Sequence, residues 1–188
     1  MDNDSQIDEN VTSKVKIVKS NDQIRFFIYG ELLEPFSHEI VFALEDCKKE
    51  KIKTIVFEIH SDGGDVDDTV TIISKMEEMQ GLGFTFIADV RGTALSAAAI
   101  LCLYCNKIIM YRAGYIMFHQ FSTSFYDEKS TSIMEINKFY MALYQDLIDE
   151  GFRRRKKKMK EKLIMTENKD FYFSAAEAKK LGIIDEVL

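Results

Sequence analysis

One serine stands among small residues, in a setting that suits either a nucleophile or a tightly packed helix. Ser96 lies in the stretch GTALSAAA, between the apolar runs FTFIADV and ILCLYC. The glycine before it permits a sharp turn from a strand into a helix, and the unpaired N–H groups of a first helical turn can bind a developing oxyanion. Small residues equally suit a helix that packs closely on its neighbour, so this stretch alone leaves both interpretations open.

The second candidate is a histidine in an apolar strand. His119 lies in YIMFHQF, and it would serve as a general base near a serine because imidazole side chains titrate near neutral pH. A hydrogen-bonded core histidine is the alternative. The other two histidines are weaker candidates for catalysis. His38 falls on a polar helix face, and we assign no catalytic role to His60, which precedes a glycine turn.

Two further stretches carry residue types suited to chemistry. In SDGGDV, residues 61–66, the two glycines let backbone N–H groups face an oxyanion or a bound peptide strand without obstruction by side chains. The spacing matches neither nucleotide-binding glycine motif, so a phosphate is not the predicted ligand. In DFYFSAAEAKKLGIIDEVL, Asp170 precedes an apolar stretch and a short helix.

The elements that must position these residues follow from hydrophobic periodicity. Residues 1–14 are acidic and polar and predict a disordered tail, which leaves residues 15–188 as the folded domain. Strands are predicted for KVKIVK, QIRFFIYG, TIVFEIH, GFTFIADV, KIIMYR and YIMFHQF. Helices are predicted for FSHEIVFALEDCKKE, DDTVTIISKMEEM, ALSAAAILCLYC, residues 131–162 as one helix or two, and SAAEAKKLG, which Gly182 ends. This alternation favours an α/β fold with a mainly parallel sheet, whose ligands bind beyond the carboxyl ends of the strands.

Composition narrows the class of protein. The 188 residues are 46% hydrophobic and 30% charged, with a net charge of −6, which predicts one soluble domain and argues against a general nucleic-acid binder. No apolar run reaches the roughly 18 residues of a membrane span, and the N-terminus is polar, so we expect a cytoplasmic protein without membrane partners. The cationic run RRRKKK, residues 153–158, indicates a solvated helix face or a partner for an acidic neighbour rather than a phosphate-binding patch.

Two cysteines form a C-x-x-C pair that invites a metal or redox interpretation. Cys102 and Cys105 lie inside the apolar run AAAILCLYC, and no second ligand pair stands at the spacing of a zinc site. We therefore expect small buried hydrophobic residues, with no metal and no cofactor.

Taken together and in this order, the four stretches resemble the proteolytic subunit of the Clp protease (the ClpP family). In that family a strand leads into a Gly-Gly turn, a G-x-A-x-S helix follows, then a strand ending in M-I-H-Q, then an aspartate before an S-A-x-E-A stretch. The matching segments here are EIHSDGGDV, GTALSAA, IMFHQ and DFYFSAAEAKKLGIIDEVL, so the resemblance extends over most of the chain. It implies an α/β fold of the ClpP and crotonase kind, with repeated β-β-α units and a protruding helical handle.

The resemblance also implies roles and partners. Ser96 would be the nucleophile, His119 the general base and Asp170 the carboxylate that orients the histidine. The oxyanion donors would be backbone N–H groups, those of Gly63 or Gly64 and of Ala97. The implied activity is that of a serine endopeptidase acting on peptides or unfolded proteins, assembled as a homo-oligomeric ring, with ATP dependence only through a partner AAA+ unfoldase.

The chain departs from the family pattern at several places. Asp62 and Phe121 stand where prolines are usual, and Ala97 replaces a methionine. FSTSFYDEKSTS occupies the place of a glycine-rich strand, and a short acidic tail replaces a longer N-terminal segment. These departures fall on the parts by which the family docks an unfoldase and pairs its rings, whereas the triad positions are retained.

Three other functions use a similar domain. One is a phage-type protease for capsid maturation or limited processing, and another is a non-catalytic ring subunit, against which the three retained triad residues argue. The third is an acyl-CoA enzyme of the crotonase fold, which would not need the triad. For assembly, the first half of the long helical segment predicts an apolar stripe that contacts another ring: Ile133, Ile136, Phe139, Tyr140, Leu143 and Leu147.

Overall fold

Strands and helices alternate along the chain in a computed structural model, which describes residues 15–119, 131–154 and 170–188. The strands are β1 (Lys16–Lys19), β2 (Ile24–Leu32), β3 (Thr54–Gly64), β4 (Thr85–Leu95), β5 (Lys107–Met110), β6 (Tyr115–Phe118), β7 (Phe171–Ser174) and β8 (Glu186–Val187). The helices are α1 (Phe36–Cys47), α2 (Val66–Gly81), α3 (Ala97–Leu103), α4 (Thr131–Arg154) and α5 (Ala175–Leu181). The predicted tail (1–14), most of FSTSFYDEKSTS and the cations at 155–158 lie outside the described residues.

The strands form one sheet in the order β1-β2-β3-β4-β5-β8, and β6 pairs with both β4 and β7. Pairing is parallel throughout that order except between β1 and β2, and the β6–β7 pair is also antiparallel. The α/β class with a mainly parallel sheet is therefore confirmed. Parallel strands place their carboxyl ends at one edge, where a site is expected.

The apolar side chains of the central strands explain why this sheet forms. Residues 55–59 of β3 are all buried, as a strand covered on both faces requires. Helix α2 begins where the Asp65 carboxylate accepts hydrogen bonds from the N–H groups of Asp67 and Asp68. Helix α5 begins at a Ser174–Glu177 capping box and ends at Gly182, whose φ of 81° gives the left-handed end that the sequence predicts.

Several boundaries differ from those expected from periodicity. Strand β3 continues through the glycine turn to Gly64, because that end pairs with Leu32 of β2. Strand β4 continues to Leu95, since residues 93–95 pair with β6, and α3 therefore begins at Ala97 instead of Ala94. Strand β7, which the periodicity does not single out, is stabilised by its antiparallel pairing with β6.

Helix α4 covers the nucleophile region of the sheet. Of the predicted stripe, Tyr140, Leu143 and Leu147 pack against the core, whereas Ile136 and Phe139 remain 47% and 63% exposed. The side chain of Ile133 lies outside the described residues. The parent domain thus covers more of the predicted stripe than the sequence suggests. Cys102 and Cys105 are buried in the hydrophobic core, as predicted. Within the described ranges, no helix combines the length and apolar character needed to cross a membrane.

Candidate active site

Ser96 occupies a strained turn between β4 and α3. Its φ and ψ are 53° and −123°, and it is the one non-glycine residue with a positive φ in the described parts of the chain. Such a conformation costs about 1–3 kcal/mol and persists only where the surroundings enforce it. Here the Ser96 N–H donates to the Met117 carbonyl of β6 at 2.9 Å, so the strand that leads to His119 also holds the turn.

A bulge in β4 carries the serine toward β6. Residues 87–90 of β4 pair with β5, but residues 93–95 pair with β6, and the register with β3 shifts between the two stretches. A side chain at Gly92 would lie 2.6 Å from His60 Nδ1, and that nitrogen accepts from the Thr93 N–H at 3.3 Å. His60 therefore holds the bulge, and the bulge redirects the end of β4.

The glycine turn after β3 packs directly against the serine turn. Gly63 has a φ of +105°, and a Cβ added there would lie 2.8 Å from both the Leu95 carbonyl oxygen and Ser96 Cβ. Gly64 is equally confined, because its Cβ would lie 2.3 Å from the Leu32 carbonyl oxygen. The Gly-Gly pair that the sequence singles out is therefore required by close backbone approach as well as by conformation.

His119 lies one residue beyond β6 and contacts the serine. Its Nε2 is 2.7 Å from Ser96 Oγ, within the range of a strong hydrogen bond, and both residues are half-buried. Parallel pairing of β4 with β6 ends both strands at the same edge, which explains how residues 23 positions apart meet. In this geometry the imidazole can take the hydroxyl proton directly.

Asp170 stands next to this pair in the strand register, but no hydrogen bond or ion pair of the described residues joins it to either side chain. The last pair of the β6–β7 register joins Phe118 to Phe171, so Asp170 is the next residue and stands level with His119. Its side chain is exposed. Among the described residues, the hydrogen bonds and ion pairs include none between Asp170 and His119. The structure thus brings two of the three predicted triad residues into contact.

The predicted oxyanion donors differ in their availability. The Ala97 N–H opens α3, where no helical acceptor exists, and none of the backbone hydrogen bonds in the described segments uses it. A Cβ at Gly63 would lie 3.2 Å from this nitrogen, so the missing side chain keeps the space before it open. The Gly63 N–H is engaged, since it donates to Ser61 Oγ at 3.2 Å.

A tyrosine that the sequence analysis did not single out lies against the pair. The hydroxyl of Tyr144, on α4, donates to Ser96 Oγ at 3.5 Å, and its ring centroid is 6.3 Å from that of His119. Burial raises the pKa of Tyr144 to about 12, although hydrogen bonds with Ser96 and the His119 backbone oppose part of that rise. The spacing of four from Tyr140 is the sequence signal that would have found it.

Four charged side chains form a cluster across the central strands β2, β3 and β4. Arg25 Nη1 is 2.6 Å from Glu58 Oε2 and 2.7 Å from Asp89 Oδ2. Arg91 reaches the same carboxylates, at 3.6 Å and 3.0 Å. Burial alone would raise the pKa of Glu58, but hydrogen bonds from Tyr29 and Arg25 outweigh it and hold that pKa below its ordinary value. We call Arg25, Glu58, Asp89 and Arg91 the four-charge cluster.

The described segments contain no group of three or more His, Cys, Asp or Glu side chains arranged to hold a metal ion. A serine on a strained strand-to-helix turn, hydrogen-bonded to a histidine from a neighbouring strand, is instead an arrangement typical of serine hydrolases. The family model described as Clp protease matches residues 9–188. This chain therefore belongs to the Clp protease family, a family of peptidases, as the resemblance implies.

Individual relatives agree with this membership. The ATP-dependent Clp protease proteolytic subunit 1 of Rhodopirellula baltica is 28% identical over 165 residues, which cover 86% of this chain and 70% of the relative. Among solved structures, a point mutant of ClpP1 from Listeria monocytogenes matches with a TM-score of 0.65 at 21% identity, covering 87% of this chain and 90% of that one. The predicted ClpP fold is confirmed.

Proposed function

We propose that this chain is a serine endopeptidase of the Clp type that hydrolyses peptide bonds in peptides or unfolded polypeptides. The observation that carries the proposal is the 2.7 Å contact between Ser96 Oγ and His119 Nε2 at a strained turn. Membership of a peptidase family supports the reaction class. The proposed steps need neither a cofactor nor a metal.

In the first step, His119 Nε2 takes the proton of Ser96 Oγ as that oxygen attacks the carbonyl carbon of the scissile bond. The carbonyl oxygen becomes an oxyanion, and the Ala97 N–H donates to it together with the Gly64 N–H, or with the Gly63 N–H once that group leaves Ser61 Oγ. His119 then gives its proton to the leaving amine, which departs and leaves an acyl group on Ser96. Water, activated by the same imidazole, releases the second product.

Asp170 is proposed to orient His119. A carboxylate on Nδ1–H fixes the tautomer that leaves Nε2 free to accept a proton, and it stabilises the imidazolium that forms. The β6–β7 register supports this assignment, because it puts Asp170 level with His119. The role requires the exposed carboxylate to turn onto the imidazole.

Assembly into a homo-oligomeric ring is the second part of the proposal. Ile136 and Phe139 expose 47% and 63% of their surface on α4, and such residues are stabilised by burial against another subunit. The name of the Rhodopirellula relative supports an AAA+ unfoldase as the partner that would supply unfolded chains. Light scattering should give a mass several times 21.7 kDa; an active monomer would contradict the ring.

Labelling with a fluorophosphonate probe, followed by mass mapping, tests the activity. We expect one label, on Ser96, and a loss of labelling together with a fall in peptide hydrolysis of roughly 10⁴- to 10⁶-fold in Ser96→Ala. Ser37→Ala is the matched control, because Ser37 Oγ is buried on α1 without a hydrogen-bond partner in the described residues. A wild-type protein that neither labels nor cleaves would favour the non-catalytic ring subunit.

A further inference from the structure

The hydroxyl of Tyr144 lies between the two residues that would react. It donates to Ser96 Oγ at 3.5 Å, and the tyrosine ring centroid lies 6.3 Å from that of His119. The side chain is 1% exposed, so water does not compete for the hydroxyl. A buried tyrosine hydroxyl ordinarily finds a partner, and here that partner is the oxygen of the proposed nucleophile.

The position of this hydroxyl is fixed by the way α4 packs on α3. A Cβ at Gly151 of α4 would lie 2.7 Å from Leu103 Cβ of α3, which shows how closely the two helices approach. The Tyr104 hydroxyl donates to the Leu147 carbonyl at 3.2 Å, about one helical turn from Tyr144. Because α3 begins at the nucleophile turn, this packing sets the distance between the phenol and Ser96.

The chemistry of a phenol suits a donor at this place. With its pKa raised to about 12 by burial, the Tyr144 hydroxyl stays protonated through the range in which histidine titrates. Ser96 Oγ is 2.7 Å from His119 Nε2, so its proton can lie toward the imidazole while the oxygen accepts from Tyr144. A donor on that oxygen also stabilises the negative charge that grows there as the proton leaves.

We propose that Tyr144 is a positioning residue for the nucleophile: its hydroxyl holds Ser96 Oγ in line with His119 and supports the charge that develops on that oxygen. This inference rests on the proposed serine peptidase function. It deepens that function by assigning α4 a direct part in the site. A purely structural tyrosine would fill the same volume without affecting the reactivity of Ser96.

Tyr144→Phe removes the hydroxyl and keeps the ring. We expect kcat for a fluorogenic peptide to fall on the order of tenfold, less than the roughly 10²- to 10³-fold loss of a direct oxyanion donor, because the 3.5 Å contact is long. KM and the melting temperature should stay unchanged. The rate of fluorophosphonate labelling should fall by the same factor, and the ratio to wild type should be constant between about pH 6 and pH 9.

Tyr140→Phe is the matched control, since it removes a hydroxyl one turn earlier on α4 that donates to Asp67 at 2.8 Å. Its kcat and labelling rate should stay within about twofold of wild type. A Tyr144→Phe enzyme with wild-type kcat and labelling rate would overturn the inference alone and leave the peptidase standing. A rise in KM at constant kcat would likewise overturn it. If wild type itself fails to label, both the peptidase and this inference are wrong.

Discussion

Polar side chains are held in opposite ways in two regions of this sheet. In the four-charge cluster, every charge faces two opposite charges within 3.6 Å. At the active site, Ser96 makes no capping hydrogen bond to α3, and its contact with His119 is a single hydrogen bond. Nearly all charged groups of the four-charge cluster have partners, whereas the active site retains groups that can form further hydrogen bonds.

The difference reflects what each region does. The cluster joins β2, β3 and β4, the strands that end at the site, and Asp89 Oδ1 is its one side-chain atom among the described residues that is buried without a partner. Paired charges of this kind hold strands in register but have nothing to offer a substrate. The open Ala97 N–H and the strained Ser96 turn cost stability, and both are available to a reacting peptide. The variants below test that division.

The largest effect is expected at Asp170, whose carboxylate is not bonded to His119 in the described part of the structure but is proposed to pair with it during the reaction. Asp170→Asn should lower kcat by about 10⁴-fold without weakening substrate binding, because an amide favours the wrong histidine tautomer. Peptide hydrolysis measured over a range of substrate concentrations separates the two parameters. The site would then depend on an ion pair that forms only during the reaction.

Asp185→Asn is the control for this prediction. The Asp185 carboxylate accepts from the Ile108 N–H at 2.8 Å, a structural role that an amide oxygen can keep. Its kcat should match wild type. If Asp170→Asn were silent, either another residue would be the third member or the serine–histidine pair would work as a dyad.

The next effect comes from the turn that confines the nucleophile. Gly63→Ala should lower peptide hydrolysis on the order of 10²-fold, because its new methyl group would lie 2.8 Å from Ser96 Cβ and displace the turn. Gly30→Ala is the control: its φ of +96° imposes a similar backbone strain, but nothing lies within 4 Å of the added methyl group. Equal activity in the two variants would show that close packing on Ser96 is irrelevant.

Much of this architecture follows from sequence because it depends on local pattern. Alternating apolar runs predict the α/β class, and the left-handed end of α5 at Gly182 follows from residue type. The spacing of Ser96 and His119 in a family pattern predicts that they meet. What the pattern cannot supply is contact between distant segments. The β4 bulge held by His60 and the approach of Tyr144 to Ser96 depend on how α4 and the strands pack.

The four-charge cluster is a second case in which contacts between distant segments do not follow from the sequence pattern. Glu58 and Asp89 stand in strands that read as apolar runs, and a single acidic residue in such a run has no visible partner in sequence. The partners come from other strands, since parallel register places Arg25 beside both carboxylates. A sequence pattern predicts that β3 and β4 are strands, but only the register reveals that their buried carboxylates share the same arginines.

A smaller effect, on stability and not on chemistry, is expected in the cluster. Arg25→Met should lower the free energy of unfolding by about 3–5 kcal/mol, because it leaves two mostly buried carboxylates facing a single arginine. Lys107→Met removes a half-exposed pair with Glu186 and should cost about 0–1 kcal/mol. Urea unfolding measures both. A large loss of kcat in folded Arg25→Met would contradict the division between the two regions.

The smallest effect is the dependence of stability on pH through one carboxylate of the cluster. The pKa of Glu58 lies below its ordinary value of 4.5 in the folded protein, because hydrogen bonds from Tyr29 and Arg25 outweigh the effect of burial. The folded state therefore holds this proton less tightly than the unfolded chain, so ionised Glu58 stabilises the protein above about pH 4.5, and that stabilisation is lost as pH falls through the folded pKa. Glu58→Gln imitates the protonated side chain. We expect it to cost about 1–3 kcal/mol at pH 7, and we expect the difference from wild type in urea unfolding to shrink as pH falls below 4.5. A difference that stays constant down to the acid transition would mean that the Glu58 carboxylate contributes by shape and hydrogen bonding alone and not by its charge.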